Sequence, residues 1–326
     1  MVSGVWGASL AQSQDGLSAE VVVYGDASGG VVAAVQAARM GKSTILVSQY
    51  GHLGGLTSSG LGWSDIGNDA ILGGLSREFY HQAYLHYQKP EAWVQQSLAD
   101  YPNKGQGGPA LNEKTEMAST FEPKVAEAIF DAMIREAGVK VVEGRLDLKA
   151  GVLKEGTRMT AIRLEDGTTV EGRMFIDASY EGDLLPGAEV SFVMGREANS
   201  EFDEKGNGIT GPLRGNQLPS GIDPYVVQGD PKSGLLPGVN PDMGGEVGAG
   251  DHRFQGYFYR MVLTDAPKIR VPIAKPEVFE EADFELLFRA IEAGLKGNFF
   301  KVSPMPNRKT DSNYIGGIST DFIGMN

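Results

Sequence analysis

Gly25, Ala27 and Gly30 stand in the stretch "GDASGG" at the spacing a dinucleotide-binding turn requires. Such a turn needs little side-chain bulk at three places: the turn itself, the point where backbone meets pyrophosphate, and the helix–strand contact. Ala27 departs from glycine at the second place, while Ser28 and Gly29 keep the loop small. The free N–H groups that open the next helix would face a phosphate, with the helix dipole adding to the attraction. An ordinary tight turn between a strand and a helix explains the same spacing without any ligand. In a dinucleotide site an acid also follows the second strand and accepts hydrogen bonds from the adenosine ribose. Here Ser48 and Gln49 occupy that place. Either can hydrogen-bond, but neither lends charge to the bond.

The elements that must position these residues are legible around them. Residues 20–24, "EVVVY", read as a buried strand, and residues 30–40 as a helix ending near Gly41. "STILVS" is a second strand, so the unit is βαβ with parallel strands. Residues 51–75 are a Gly/Ser/Thr-rich stretch, 76–97 a helix and 99–116 a polar loop. A further helix begins near Pro123 and stops at Gly138. "VKVVEG" reads as a strand, and "TAIRLEDGTTVEGRMFIDAS" as a hairpin about Asp166-Gly167 that runs on into an apolar strand. Residues 195–250 are Gly/Pro-rich and irregular, "FQGYFYRMVLT" returns to strand character, and Phe284 to Leu295 mark a last helix.

Composition narrows the function. The 326 residues exceed one typical domain, and acids outnumber bases 42 to 29 for a net charge of −13. That balance argues against a nucleic-acid partner, because phosphate backbones need a basic surface. No run of the sequence is apolar enough to span a bilayer. The chain has no cysteine, which excludes disulfides, thiolate nucleophiles and cysteine-ligated iron–sulfur clusters. Residues 1–18 read as a disordered terminus or a signal-peptide remnant, so an exported and a cytoplasmic protein both remain open.

The segments "GDASGGVVAAVQAARMGK", "GHLGGLTSSGLGWSDIGN", "GGLSREFY", "FEPKVAEAIFDAMIREAGVKVVEG", "FIDASYEGDLLPGAEVSFVMGRE" and "MPNRKTDSNYIGGISTDFIGMN" occur in that order. Together they resemble the FAD-dependent oxidoreductase family of the two-dinucleotide-binding-domain flavoproteins, with a flavin domain related to that of heterodisulfide reductase. The resemblance runs from about Glu20 onward. It implies an α/β fold: a Rossmann-like FAD-binding domain with a central parallel sheet and β-meander, plus an α+β substrate domain. The FAD domain would take residues 19–60 and 117–190, and the substrate domain 61–116 and 191–326. By the resemblance, Gly25, Ala27, Ser28, Gly29 and Gly30 meet the FAD pyrophosphate, and Ser48 takes the ribose position with Gln49 beside it. Gly54, Gly55 and Thr57 continue towards the flavin, and Val142 flanks the adenine. Asp177, Ala178, Gly182 and Asp183 form a second turn at the cofactor. The family's closing C-terminal strand and Gly-Asp turn are not recognisable before Asn326, so the expectation is a truncated chain isolated poor in flavin. A glutamate at position 48 is expected to strengthen FAD binding if the ribose lies there, the alternative being that Gln49 or a backbone group holds the ribose.

The remaining candidates each have a plainer reading. His52 precedes "LGG", but its spacing does not match that of histidines that attach FAD covalently, so a non-covalent contact and dissociable FAD are expected. His252, Arg260 and Tyr257 are candidates for a catalytic base or an anion-holding group, with surface or packing roles as the alternative. No metal site is expected. The reading is an enzyme that moves a hydride from a small organic substrate, such as a sugar or other hydroxyl compound, to flavin and then to an unknown acceptor. The rival is a non-catalytic or truncated binding protein of the same fold. An enzyme using NAD alone would need neither "LGGLTSSGL" nor "FIDASYEGD".

Overall fold

The computed structural model describes residues 16–211, 218–241, 244–253, 260–297 and 300–314. Its elements run in the order β1 (Leu17–Tyr24), α1 (Ser28–Arg39), β2 (Thr44–Ser48), α2 (Leu56–Ser59) and α3 (Gly74–Tyr87). Next come β3 (Leu111–Asn112), β4 (Met117–Ala118), α4 (Pro123–Ala137), β5 (Lys140–Glu143), β6 (Val152–Glu155), β7 (Arg158–Arg163) and β8 (Thr169–Asp177). Last among the described residues come α5 (Leu184–Ala188), β9 (Met261–Thr264), α6 (Glu285–Glu292), β10 (Phe300–Met305) and β11 (Lys309–Tyr314). Two units divide the chain, one through Ser59 with Lys124–Ser191 and the other Gly60–Pro123 with the residues from Phe192 on.

The first unit is built on a six-stranded sheet of order β5-β2-β1-β8-β7-β6. Its first four strands are parallel, and β8, β7 and β6 form an antiparallel meander. This is the Rossmann-like sheet and meander the sequence led us to expect. The pattern follows from the residues. Every residue of β2 is buried, as are Val22, Val23 and Tyr24 of β1. Unbroken apolar runs of this kind belong to parallel strands covered on both faces. Helix α1 buries Gly30, Val31, Ala34 and Val35, and α4 buries Val125, Ala126, Phe130, Met133 and Ile134. Both sets follow the helical repeat, and each fully buried aliphatic side chain among them stabilises the fold by about 1.5–3 kcal/mol. Helix α4 stops at Gly138, whose φ of 69° favours glycine.

The second unit contains the three-stranded antiparallel sheet β10-β11-β9, the pair β3-β4 and helix α3. Phe79 of α3 meets Phe121 edge to face at 5.3 Å. Helix α3 ends at Tyr87, ten residues short of the sequence expectation, because Pro90 starts a separate 3-10 turn. Met117–Ala118 pairs with Leu111–Asn112 inside this unit, which places residues 117–123 here rather than with the first unit. Among the described residues no helix is long and apolar enough to cross a membrane, and no group of three acids or histidines is placed to hold a metal ion.

Candidate cofactor site

Three turns meet at the carboxyl ends of β1 and β8, the place where open α/β sheets bind ligands. Each depends on glycine. Gly25 follows β1 with a φ of 113°, and a side chain there would lie 2.5 Å from the Ala178 carbonyl group. A Cβ on Gly30 would strike the Gly25 carbonyl oxygen and sit 3.1 Å from the Ala178 Cβ. In the second turn, Gly54 and Gly55 have φ of 105° and 53°. A side chain on Gly54 would enter the Phe130 ring, and one on Gly55 would press on the Tyr180 hydroxyl and approach Ala27 Cα to 3.0 Å. The Gly54 N–H donates to the Asp26 carbonyl at 2.7 Å, locking the two turns together. Ala178 follows β8, and its N–H donates to the Tyr24 carbonyl at 2.7 Å.

These turns frame the start of α1. Its N-cap is Ala27, which has no side-chain acceptor, and its first turn holds no acid. The N–H groups of that turn therefore lack the usual side-chain partner. The space beside Gly29 is open. A backbone cradle of this kind, with four glycines that tolerate no Cβ and a helix start without a cap, fits a pyrophosphate. Thr57 is half-buried, and its N–H donates to the Gly54 carbonyl at 3.2 Å. The Tyr180 hydroxyl accepts from the Leu56 N–H at 3.0 Å, which sets an exposed aromatic ring across the second turn.

The end of β2 differs from the sequence expectation. Ser48 is wholly buried. Its hydroxyl donates to Asp26 Oδ2 at 2.7 Å and accepts from the Gly51 N–H at 2.9 Å. A side chain so enclosed has nothing left to offer a ribose. Gln49 also turns inward: its amide nitrogen donates to the Tyr24 hydroxyl at 2.9 Å and to Asp183 Oδ2 at 3.0 Å. Val142, paired with Val47, is partly buried against the core.

The turn after β8 holds itself together. Asp177 accepts from the Ser179 N–H and hydroxyl on one oxygen and from the Leu184 N–H on the other. Gly182 has a φ of 73°. Burial, then the neighbouring Glu181 and Asp177 charges, push the Asp183 carboxyl above its ordinary value. His52 sits between two acceptors, with Nδ1 2.8 Å from Glu127 Oε1 and Nε2 3.3 Å from the Ser58 carbonyl.

The catalytic candidates lie in the second unit. Arg260 donates to Asp311 Oδ1 at 2.7 Å, and the other Asp311 oxygen accepts from the Trp63 N–H at 3.1 Å. His252 is exposed. Tyr257 lies outside the described residues. Sequence reasoning passed over Asp26, buried inside the glycine turn. Its signal was an acid at the second position of that turn coupled with the absence of one at the end of β2.

A family model described as FAD dependent oxidoreductase matches residues 20–326. No curated protein matches the chain. Solved structures similar to it include an L-amino acid deaminase from Proteus vulgaris, with 17% identity over 60% of this chain and 54% of that one and a TM-score of 0.34. An L-proline dehydrogenase from P. horikoshii has 15% identity over 56% and 59%, with a TM-score of 0.34. A triple mutant of the flavin-dependent brominase Bmp2 has 16% identity over 55% and 42%, with a TM-score of 0.36. The chain thus spans about 42–59% of the length of these three proteins.

Proposed function

We propose that this chain, which belongs to the FAD dependent oxidoreductase family, takes a hydride from a small hydroxyl-bearing substrate and passes the electrons to a separate acceptor. FAD is its cofactor and oxidoreduction its reaction class, as the family description gives them. The observation that carries the binding mode is the meeting of three glycine-dependent turns at the ends of β1 and β8. Bound FAD supplies a two-electron acceptor for the hydride, while the substrate hydroxyl loses its proton to become a carbonyl.

The protein's tasks follow from its residues. Ser28, Gly29 and Gly30 would offer backbone N–H groups to the pyrophosphate, and Gly54, Gly55 and Thr57 would continue the binding surface towards the flavin. Asp177 and Gly182 fix the turn that presents Ala178 beside Gly25. The first unit is the FAD-binding domain, and the second carries substrate recognition. With no cysteine in the chain and both His52 nitrogens in polar contacts, FAD would be held without a covalent bond.

The test is an anaerobic reduction. The chain is reconstituted with FAD and mixed with a panel of sugars and simple alcohols while the flavin absorbance is followed. Bleaching by a hydroxyl compound, with the matching carbonyl product formed, is the expected result. Bound flavin that a chemical reductant bleaches but no hydroxyl compound does would refute this substrate class. Acid precipitation should release all the flavin into the supernatant, and colour retained in the washed pellet would refute non-covalent binding.

A further inference from the structure

We infer that Asp26, not a residue at the end of β2, is the acid that recognises the ribose hydroxyls of the adenosine half of the cofactor. The inference rests on the FAD reading above and names the residue that selects the ligand's sugar.

Asp26 is 4% exposed. Among the described residues no cation pairs with it, and both hydrogen bonds to its carboxylate fall on one oxygen. Oδ2 accepts from the Ser48 hydroxyl at 2.7 Å and from the Tyr50 N–H at 3.0 Å. Oδ1 accepts no hydrogen bond among the described residues. A carboxylate buried without a cation is costly unless its oxygens are satisfied. Among the described residues Oδ1 is not one of the buried atoms that lack a partner, so this oxygen is reached by solvent and is open to a ligand hydroxyl.

The place of that carboxylate is specific. Dinucleotide sites of this fold bring an acid to the end of the second strand, about twenty residues after the glycine turn, to accept from a ribose hydroxyl. In this chain Ser48 ends β2, and its hydroxyl lies 2.7 Å from an Asp26 oxygen. The carboxylate has therefore moved across the strand pair, entering the same spot from β1. Ser48 keeps the β2 side short and steers the acid by hydrogen bonding. The Gly54 N–H pins the Asp26 carbonyl at 2.7 Å and the Tyr50 N–H pins its carboxylate, so the group is oriented before any ligand arrives. Both carboxylate contacts come from residues at or just after the end of β2, Ser48 and Tyr50. The ligand class that satisfies Oδ1 is a nucleotide with free ribose hydroxyls. A phosphate on the sugar would meet the carboxylate as a like charge.

The test titrates the flavin-free full chain, followed by fluorescence, with FAD and with an FAD analogue lacking both adenosine ribose hydroxyls. It compares the wild type with Asp26→Asn and Ser48→Ala. Asparagine can still accept from Ser48 and Tyr50, so the fold is expected to survive, as circular dichroism would check. The wild type should bind FAD about tenfold or more tighter than the analogue, the range of a charge-assisted hydrogen bond. Asp26→Asn should bring the two ligands to similar affinity, and Ser48→Ala should lower FAD affinity less than Asp26→Asn does. Equal wild-type affinity for the two ligands overturns the inference and leaves the FAD reading standing. So does an Asp26→Asn protein that keeps the wild-type preference, or one that binds FAD more tightly. If Asp26→Asn fails to fold, the wild-type preference between the ligands still decides. A folded wild type that binds neither ligand overturns the FAD reading, and the inference with it.

Discussion

Asp26 in the first unit and Glu122 and Asp311 in the second are carboxylates buried almost completely, yet their surroundings are opposite. Glu122 accepts from Lys309 Nζ at 2.7 Å and from Asn307 Nδ2 at 2.8 Å, with the Tyr87 hydroxyl beside the same oxygen at 3.4 Å. The Tyr87 hydroxyl in turn accepts from the Glu122 N–H at 2.9 Å, and burial pushes the Tyr87 phenol far above its ordinary value. Asp311 pairs with Arg260. Both second-unit acids meet a cation inside the protein, as buried charges in a scaffold must. Among the described residues Asp26 has hydroxyl and backbone donors on one oxygen and no cation. A closed network is what a fold needs to hold itself together. A half-satisfied one, set beside a turn that will not accept a Cβ, is what a binding site needs.

That contrast can be broken or sharpened by substitution. The largest effect is expected at Glu122. Glu122→Ala strips a partner from Lys309, Asn307 and Tyr87 together, and urea denaturation should show a loss of about 3–5 kcal/mol. A loss under about 1 kcal/mol would mean that the network holds nothing together, and the contrast with Asp26 would fail. Next comes Ser48→Glu. The sequence alone suggested that an acid here would tighten FAD binding. The structure leads to the opposite expectation, because Ser48 is wholly buried and already touches a carboxylate. Overpacking alone should cost about 1–3 kcal/mol, and FAD should bind more weakly. A stable Ser48→Glu protein with tighter FAD binding would restore Ser48 as the ribose position.

The smallest effect concerns Asp183. Its folded-state pKa is raised, first by burial and then by Glu181 and Asp177. A raised carboxyl pKa contributes stability that is fully present below the unfolded value and is lost as pH rises through the folded value. The wild type should therefore lose some stability on passing upward through the acid range above the ordinary aspartate pKa. Asp183→Asn, which can still accept from Gln49, should remove that part of the pH dependence and melt slightly higher at neutral pH. A melting temperature that shows the same pH slope in both proteins would mean that Asp183 carries no such linkage.

Much of the first unit was legible because local signals and tertiary structure agree there. The apolar runs of "EVVVY" and "TILVS", the small face of α1, the proline and glycine that bound α4, and the Asp166-Gly167 turn each specify their element within a few residues. The β10–β11 hairpin was not legible. Residues 300–314 have mixed polarity, with Ser303, Asp311 and Ser312 buried, so no alternation marks the strands. The expected helix over 76–97 was read past Pro90 because apolar residues continue beyond it, although their burial comes from separate turns. At the site the three glycine turns could be found by spacing. The exchange between positions 26 and 48 could not, because it depends on two strands lying side by side in register. The sequence shows only an acid in the turn and none at the end of β2, and it is the hydrogen bond between Asp26 and Ser48 that ties the two together.

The central claim is that the glycine turns of the first unit hold FAD. The most direct measurement is a titration of the flavin-free chain with FAD, followed by flavin fluorescence, with Gly30→Ala measured alongside. A methyl group at position 30 would strike the Gly25 carbonyl oxygen, so the turn must open to admit it. The account predicts saturable binding of one FAD per chain by the wild type and no saturable binding by a Gly30→Ala protein that circular dichroism shows to be folded. Wild-type affinity in the folded Gly30→Ala protein, or a folded wild type that does not bind FAD, would contradict it.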